Sequence, residues 1–160
     1  QSRPYRGNGL PPMSPDHPAD RTAALAALVR EYDEKWSALD IAGLAELWEL
    51  DTPQPVYFAD EYAAPLIGLD EFDRHWVRVG GRLKKASVSS QLRYCDVLAD
   101  GFARCVVLSR WRLTGHESDV VHTGASWITW LLVARGDRYR ICHHMESQVY
   151  LPDDGDDEAR

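Results

Sequence analysis

Apolar side chains recur at helical spacing between Arg21 and Trp36, where Ala24, Leu25, Leu28, Tyr32 and Trp36 fall along one stripe. The stripe predicts a long amphipathic helix, with Asp20 ahead of it as the N-cap. A shorter helix is expected from Asp40 to about Leu50, with Ile41, Leu44, Leu47 and Trp48 on one side, before Pro53 and Pro55 stop helical order. A short strand from Val56 to Asp60 follows. A third helix then runs from Leu69 to about Val79, its apolar side made by Phe72, Trp76 and Val79, with Gly80-Gly81 as its terminator.

The remainder of the pattern has period two. Val88 to Leu98 alternates, placing Val88, Leu92, Tyr94 and Leu98 on one face, and Asp96 on that same inner side with Tyr94. Asp100-Gly101 turns the chain into a strand from Phe102 to Leu113, with Ala103, Cys105, Val107, Ser109, Trp111 and Leu113 inward and Arg104, Arg110 and Arg112 outward. After a loop from Thr114 to Asp119 come two runs rich in β-branched and aromatic residues, joined through Arg135-Gly136-Asp137 as a hairpin. Pairing symmetrically about Gly136 would set His143 opposite Thr129, Met145 opposite Trp127 and Ser147 opposite Ala125, all on the inner face with Tyr139 and Ile141. Ile128, Trp130, Leu132, Cys142 and His144 would then share the outer face. That face is too apolar to be left in water and predicts a homodimer packed sheet against sheet.

Composition narrows the class. At 160 residues, 44% hydrophobic and 27% charged, the chain suits one globular domain of residues 21–150, between a proline-rich arm (1–20) and an acidic tail (151–160). Met13 is a candidate natural start within that arm. No apolar run approaches the roughly 20 residues of a spanning helix, and a cytoplasmic location is the default expectation. Much of the net charge of −7 lies in the tail, and no basic stripe exists to neutralise phosphates, so neither membrane nor nucleic acid is an expected partner. Cys95, Cys105 and Cys142 lack paired spacing and read as reduced thiols.

Three helices enclosing one short strand, then an antiparallel meander, resemble the cone-shaped α+β fold of the nuclear-transport-factor-2-like superfamily, also called ketosteroid-isomerase-like. The motifs Leu50-Asp51, Val56-Tyr57-Phe58 and Gly68-Leu69-Asp70-Glu71-Phe72 are similar to those of its SnoaL-like branch. That branch's last strand tends to read tryptophan-x-isoleucine-x-histidine-x-histidine-x-serine, and Tyr139, Ile141, His143, Met145 and Ser147 fall in its register, with Met145 departing from it. The resemblance covers Arg21 to Tyr150. It implies an isomerase, cyclase (polyketide cyclases included), dehydratase, lyase or epoxide hydrolase, or a non-catalytic module.

From these placements a cavity is expected, walled by Tyr32, Trp36, Trp76, Tyr94, Trp111, Trp127, Thr129 and Met145, for a small hydrophobic substrate, aromatic and polycyclic compounds included. His143 is the candidate acid/base group, because imidazole titrates near neutrality. Asp60 or Asp96 could serve as a base of raised pKa or orient His143, and Tyr57 or Tyr32 could donate to an oxyanion. His122, His143, His144 and Glu146 cannot all share one face of a regular strand, and no HExxH or paired-cysteine spacing occurs, so neither metal nor cofactor is expected. The expected function is a cofactor-independent acid/base enzyme. The alternative is a non-catalytic ligand-binding or oligomerisation module, whose interior would be packed rather than hollow.

Overall fold

The computed structural model describes residues 18–149, so the arm up to residue 17, Met13, Tyr150 and the acidic tail lie outside the described residues. The chain runs α1 (Pro18–Ala38), α2 (Ile41–Glu46), β1 (Val56–Phe58), β2 (Leu66–Ile67), α3 (Leu69–Arg82), β3 (Leu83–Ala99), β4 (Phe102–Gly115), β5 (Val121–Arg135) and β6 (Arg138–Gln148). One curved sheet holds all six strands in the order β2-β1-β6-β5-β4-β3. Strands β3 to β6 form the expected antiparallel meander, and β1 joins it parallel to β6. Helix residues Leu25, Leu28, Leu44, Phe72 and Trp76 pack with the sheet's inner residues into one buried core.

Local sequence accounts for the helix limits. α1 begins at Pro18, a residue that fits a first turn because it lacks the N–H left unpaired there, so Asp20 lies inside the helix and not ahead of it. Asp40 caps α2 by accepting the Gly43 N–H at 2.9 Å. α3 runs through Gly80-Gly81 to Arg82, past the expected stop, and β3 follows directly at Leu83. At its start Glu71 accepts the Ile67 N–H at 2.8 Å, which also sets a negative charge on the positive end of the helix.

Two features of the last hairpin overturn the expected faces. Arg135 pairs with Arg138, so the turn contains two residues, Gly136 (φ 63°) and Asp137, and is not centred on Gly136. Odd positions on β6 therefore lie beside even positions on β5. Ile128, Trp130 and Leu132 point inward with Tyr139 and Ile141, while Trp127 and Thr129 move to the outer side. A β-bulge follows: Leu132 pairs with Ile141 but Leu131 pairs with His143, leaving Cys142 as the extra residue. Beyond it the inward set becomes His144 and Glu146, and Met145 is 47% exposed. The proposed dimer face is thereby corrected, because Ile128, Trp130, Cys142 and His144 are all buried within this one chain. Their apolarity reflects the core. Each fully buried aliphatic or aromatic side chain there contributes about 1.5–3 kcal/mol.

A second bulge, between Leu92 and Tyr94, acts the same way on β3. Val88, Leu92 and then Cys95 pack on the core, whereas Tyr94 and Leu98 are exposed.

On the neighbouring pair of strands, Gly124 lies opposite Trp111, and a Cβ added there would meet the indole at 2.4 Å. The glycine lets the ring lie flat across the sheet. Gly124→Ala should therefore lower unfolding stability by about 1–3 kcal/mol in urea titrations, as overpacking against an ordered ring does. An unchanged midpoint would show that Trp111 moves freely.

Candidate active site

The concave side of the sheet and the helices enclose a cavity of about 530 Å³. Its buried wall includes Tyr32, Tyr57, His75, Ser109, Ser126 and Ile128, while Asp60, Glu61, Arg82 and Gln148 are exposed at its mouth. Trp36, Trp111, Arg78 and Glu146 lie between them in the lining.

Glu146 is the acid within this apolar space. His144 Nε2 lies 2.9 Å from its Oε2. On the other side of the ring, Trp130 Nε1 lies 3.0 Å from His144 Nδ1. An indole N–H can only donate, so Nδ1 must accept and the imidazole proton must reside on Nε2, where it is donated to the carboxylate. The contact is therefore a charge-assisted hydrogen bond from a neutral ring. A parallel relay reaches Glu146 through Ser126: Trp111 Nε1 donates to Ser126 Oγ at 3.1 Å, leaving the hydroxyl proton for Glu146. Burial alone would raise the Glu146 pKa, but these hydrogen bonds, together with the electrostatic influence of His144 and His75, outweigh it and hold the carboxyl below its ordinary range. The result is an ionised carboxylate in a chamber of aromatic rings.

Opposite stands a second group. β1 runs beside β6 with Tyr57 paired to His144, and their rings stack at 4.6 Å and 17°. The other face of Tyr57 meets His75 of α3 at 4.3 Å. His75 Nδ1 lies 2.7 Å from the Tyr62 hydroxyl, and its Nε2 is buried without a hydrogen-bond partner among the described residues. Burial, aided by His144 and Arg78, pushes the His75 pKa down to about 4, so the ring is neutral at physiological pH. Burial raises Tyr32 and Tyr57 well above the usual phenol range, with Glu146 adding to both, and each keeps its proton. The Tyr57 hydroxyl donates to Glu61 at 3.1 Å.

The candidates read from sequence separate accordingly. Tyr32, Trp36, Tyr57, Asp60 and Trp111 line the cavity. Asp60 sits at the mouth, where it accepts the Gln148 N–H at 2.8 Å. Trp76 is buried behind the wall, packed on Trp36 at 6.0 Å and on Phe72. His143, Met145, Trp127 and Thr129 lie on the other side of the sheet because of the two-residue turn and the bulge. Tyr94 is 52% exposed, and Asp96 is gripped by Arg104 at 2.7 and 3.0 Å on the same outer side. His143 still feels burial, which lowers its pKa with help from His144, but it has no place in the cavity.

His75, His144, Glu146, Ser126 and Tyr62 are the residues that the sequence reading missed. For His144 and Glu146 the strand pattern held no sufficient signal, because their inward placement depends on the bulge at Cys142. For His75 the helical spacing Phe72, His75, Trp76, Val79 was sufficient.

No protein-family model matches the chain, and no curated protein matches it in sequence. Solved structures match its fold. A candidate dehydratase of the nuclear transport factor 2-like family from Streptomyces avermitilis superimposes with TM-score 0.71 at 13% identity, over 84% of this chain and 100% of that one. A candidate scytalone dehydratase from Novosphingobium aromaticivorans gives 0.70 at 11% identity, over 81% and 85%. A ketosteroid isomerase-like protein from Erwinia carotovora gives 0.67 at 14% identity, over 81% and 96%. At these identities the superpositions establish the fold alone: the chain adopts the nuclear transport factor 2-like α+β cone.

The depressed His75 pKa has a measurable consequence. Between about 4 and 6.5 the unfolded chain binds a proton there that the folded chain refuses, so stability falls as pH drops through that window, by up to about 3 kcal/mol. His143 acts in the same direction, whereas the Glu146 contribution is lost only at lower pH. Urea unfolding at pH 7 and pH 5 should show this loss, and His75→Gln should flatten most of it. A variant as pH-sensitive as the parent would place the titration elsewhere. The tautomer is separately testable: ¹⁵N shifts should show His144 bare at Nδ1 and protonated at Nε2, and Trp130→Phe should release that restriction.

Proposed function

We propose that the cavity is the active site of an acid/base enzyme of the isomerase, cyclase, dehydratase or lyase type, acting on a small hydrophobic ring compound with chemistry supplied by side chains alone. The single observation behind this reading is the Glu146 side chain, turned into a cavity of about 530 Å³ and hydrogen-bonded there to His144 at 2.9 Å. A hollow interior with a carboxylate and an imidazole in hydrogen-bond contact is what an enzyme requires. A purely structural module would fill that space with side chains.

Glu146 is the base. Its free lone pairs take a proton from carbon adjacent to a carbonyl, in a site where little water competes. His144 is a positioning residue, fixed by Trp130 as a donor and unable to take the proton itself without losing that bond. The developing oxyanion is met by a neutral donor, the Tyr32 hydroxyl, which keeps its proton near neutral pH. Protonation of the oxyanion, return of the proton to a different carbon, or expulsion of a β-hydroxyl would give the different outcomes of the class. Each begins with the same abstraction. The dehydratase and isomerase-like names of the structural neighbours are compatible with that shared step.

Carbon-proton exchange tests it without knowledge of the natural substrate. The protein should speed deuterium uptake at C1 of 2-tetralone in heavy water, followed by proton NMR. Glu146→Gln, which keeps shape and hydrogen bonding, should lower that rate by about 10²–10⁴-fold. A glutamine variant that exchanges as fast as the parent would remove Glu146 from the chemistry.

A further inference from the structure

Resting on the cavity being the substrate site, we infer that the ligand is an aromatic or alicyclic ring acid, whose carboxylate is held at the mouth by Arg78 and Arg82 while its uncharged end faces Glu146. The two arginines lie one turn apart on α3, on the same stripe as His75 and Val79, and both line the cavity. Other acids near the opening are already engaged, Asp60 by the Gln148 N–H and Glu61 by the Tyr57 hydroxyl. No carboxylate among the described residues lies within ion-pair distance of either guanidinium, although Arg104, Arg135 and Arg138 all have such partners.

Arg78 is also held in place. Its guanidinium carbon lies 4.9 Å from the Tyr62 ring centroid, and the Tyr62 hydroxyl is tied to His75 at 2.7 Å. A guanidinium stacked on a ring keeps its N–H edge available, in the planar form that suits a carboxylate. Glu146 supplies the orientation. An anion inserted toward it would face an unscreened like charge in an apolar chamber, so the charged end of a ring acid must stay at the arginine end. This also delivers the uncharged end to the base.

Calorimetric titration of the full chain at low salt with 2-naphthoate and with its uncharged methyl ester tests the inference. The acid should bind about ten-fold more tightly than the ester, the size of a charge-assisted contact partly screened by solvent. Arg78→Gln/Arg82→Gln should reduce that preference to about two-fold or less. Arg74→Gln, which removes the same charge from α3 outside the cavity lining, should keep it. Equal affinities in the parent, binding of neither probe, a preference that survives in the double variant, or an equal loss in Arg74→Gln would overturn the inference. Glu146→Gln should retain or strengthen the preference for the acid. Failure here is therefore distinct from failure of Glu146 in proton exchange, which is read with an uncharged ketone.

Discussion

A carboxylate cannot remain ionised in an apolar chamber unless the protein replaces the water it has lost. In this chain the replacement is specific: one imidazole N–H and one hydroxyl, each oriented by the N–H of a tryptophan indole. The indoles matter because they cannot reverse direction. Trp130 determines which nitrogen of His144 carries the proton, and Trp111 determines which way the Ser126 hydroxyl turns. The charge on Glu146 is thus sustained by two tryptophan side chains, Trp130 within the core and Trp111 in the cavity wall.

That clasp binds the packing of the core to the electrostatics of the cavity. Trp130 is fully buried and packs edge-on to Tyr32 at 5.0 Å, so the group orienting His144 is itself immobilised by the helix layer. Tyr57, stacked between His144 and His75, carries the same rigidity from β6 to α3. From His75 it continues through Tyr62 to Arg78 at the mouth. Close packing of large rings is ordinary in a core. Here it fixes the relative positions of the arginines at the mouth, the Tyr32 hydroxyl and the Glu146 carboxylate, all of which line the cavity.

The bulge at Cys142 is what makes the wall possible. Without an extra residue, a strand that buries Tyr139 and Ile141 would bury His143 and Met145 next. One inserted residue exchanges that pair for His144 and Glu146. The backbone is supported at the same point from the other edge, where Ile141 exchanges hydrogen bonds with Leu47 and Glu49 at 2.9 and 2.8 Å.

The three helices, the inward face of β4 from Ala103 to Leu113, the positive-φ turn glycines at Gly101 and Gly136, and the cone architecture were all legible in the amino-acid order, because helical and strand periods are local and each covers many residues. So was the presence of an aromatic-walled cavity with Tyr32, Trp36, Tyr57 and Trp111 in it. Which histidine and which carboxylate enter that cavity was not. Strand parity is a binary quantity that one residue inverts, and neither the two-residue turn at Gly136-Asp137 nor the bulge at Cys142 leaves a mark in the hydrophobic pattern when both faces of a strand contain apolar and polar residues. Only pairing with β5 and β1, contacts made across the chain, decided that His144 and Glu146 look inward and His143 looks out.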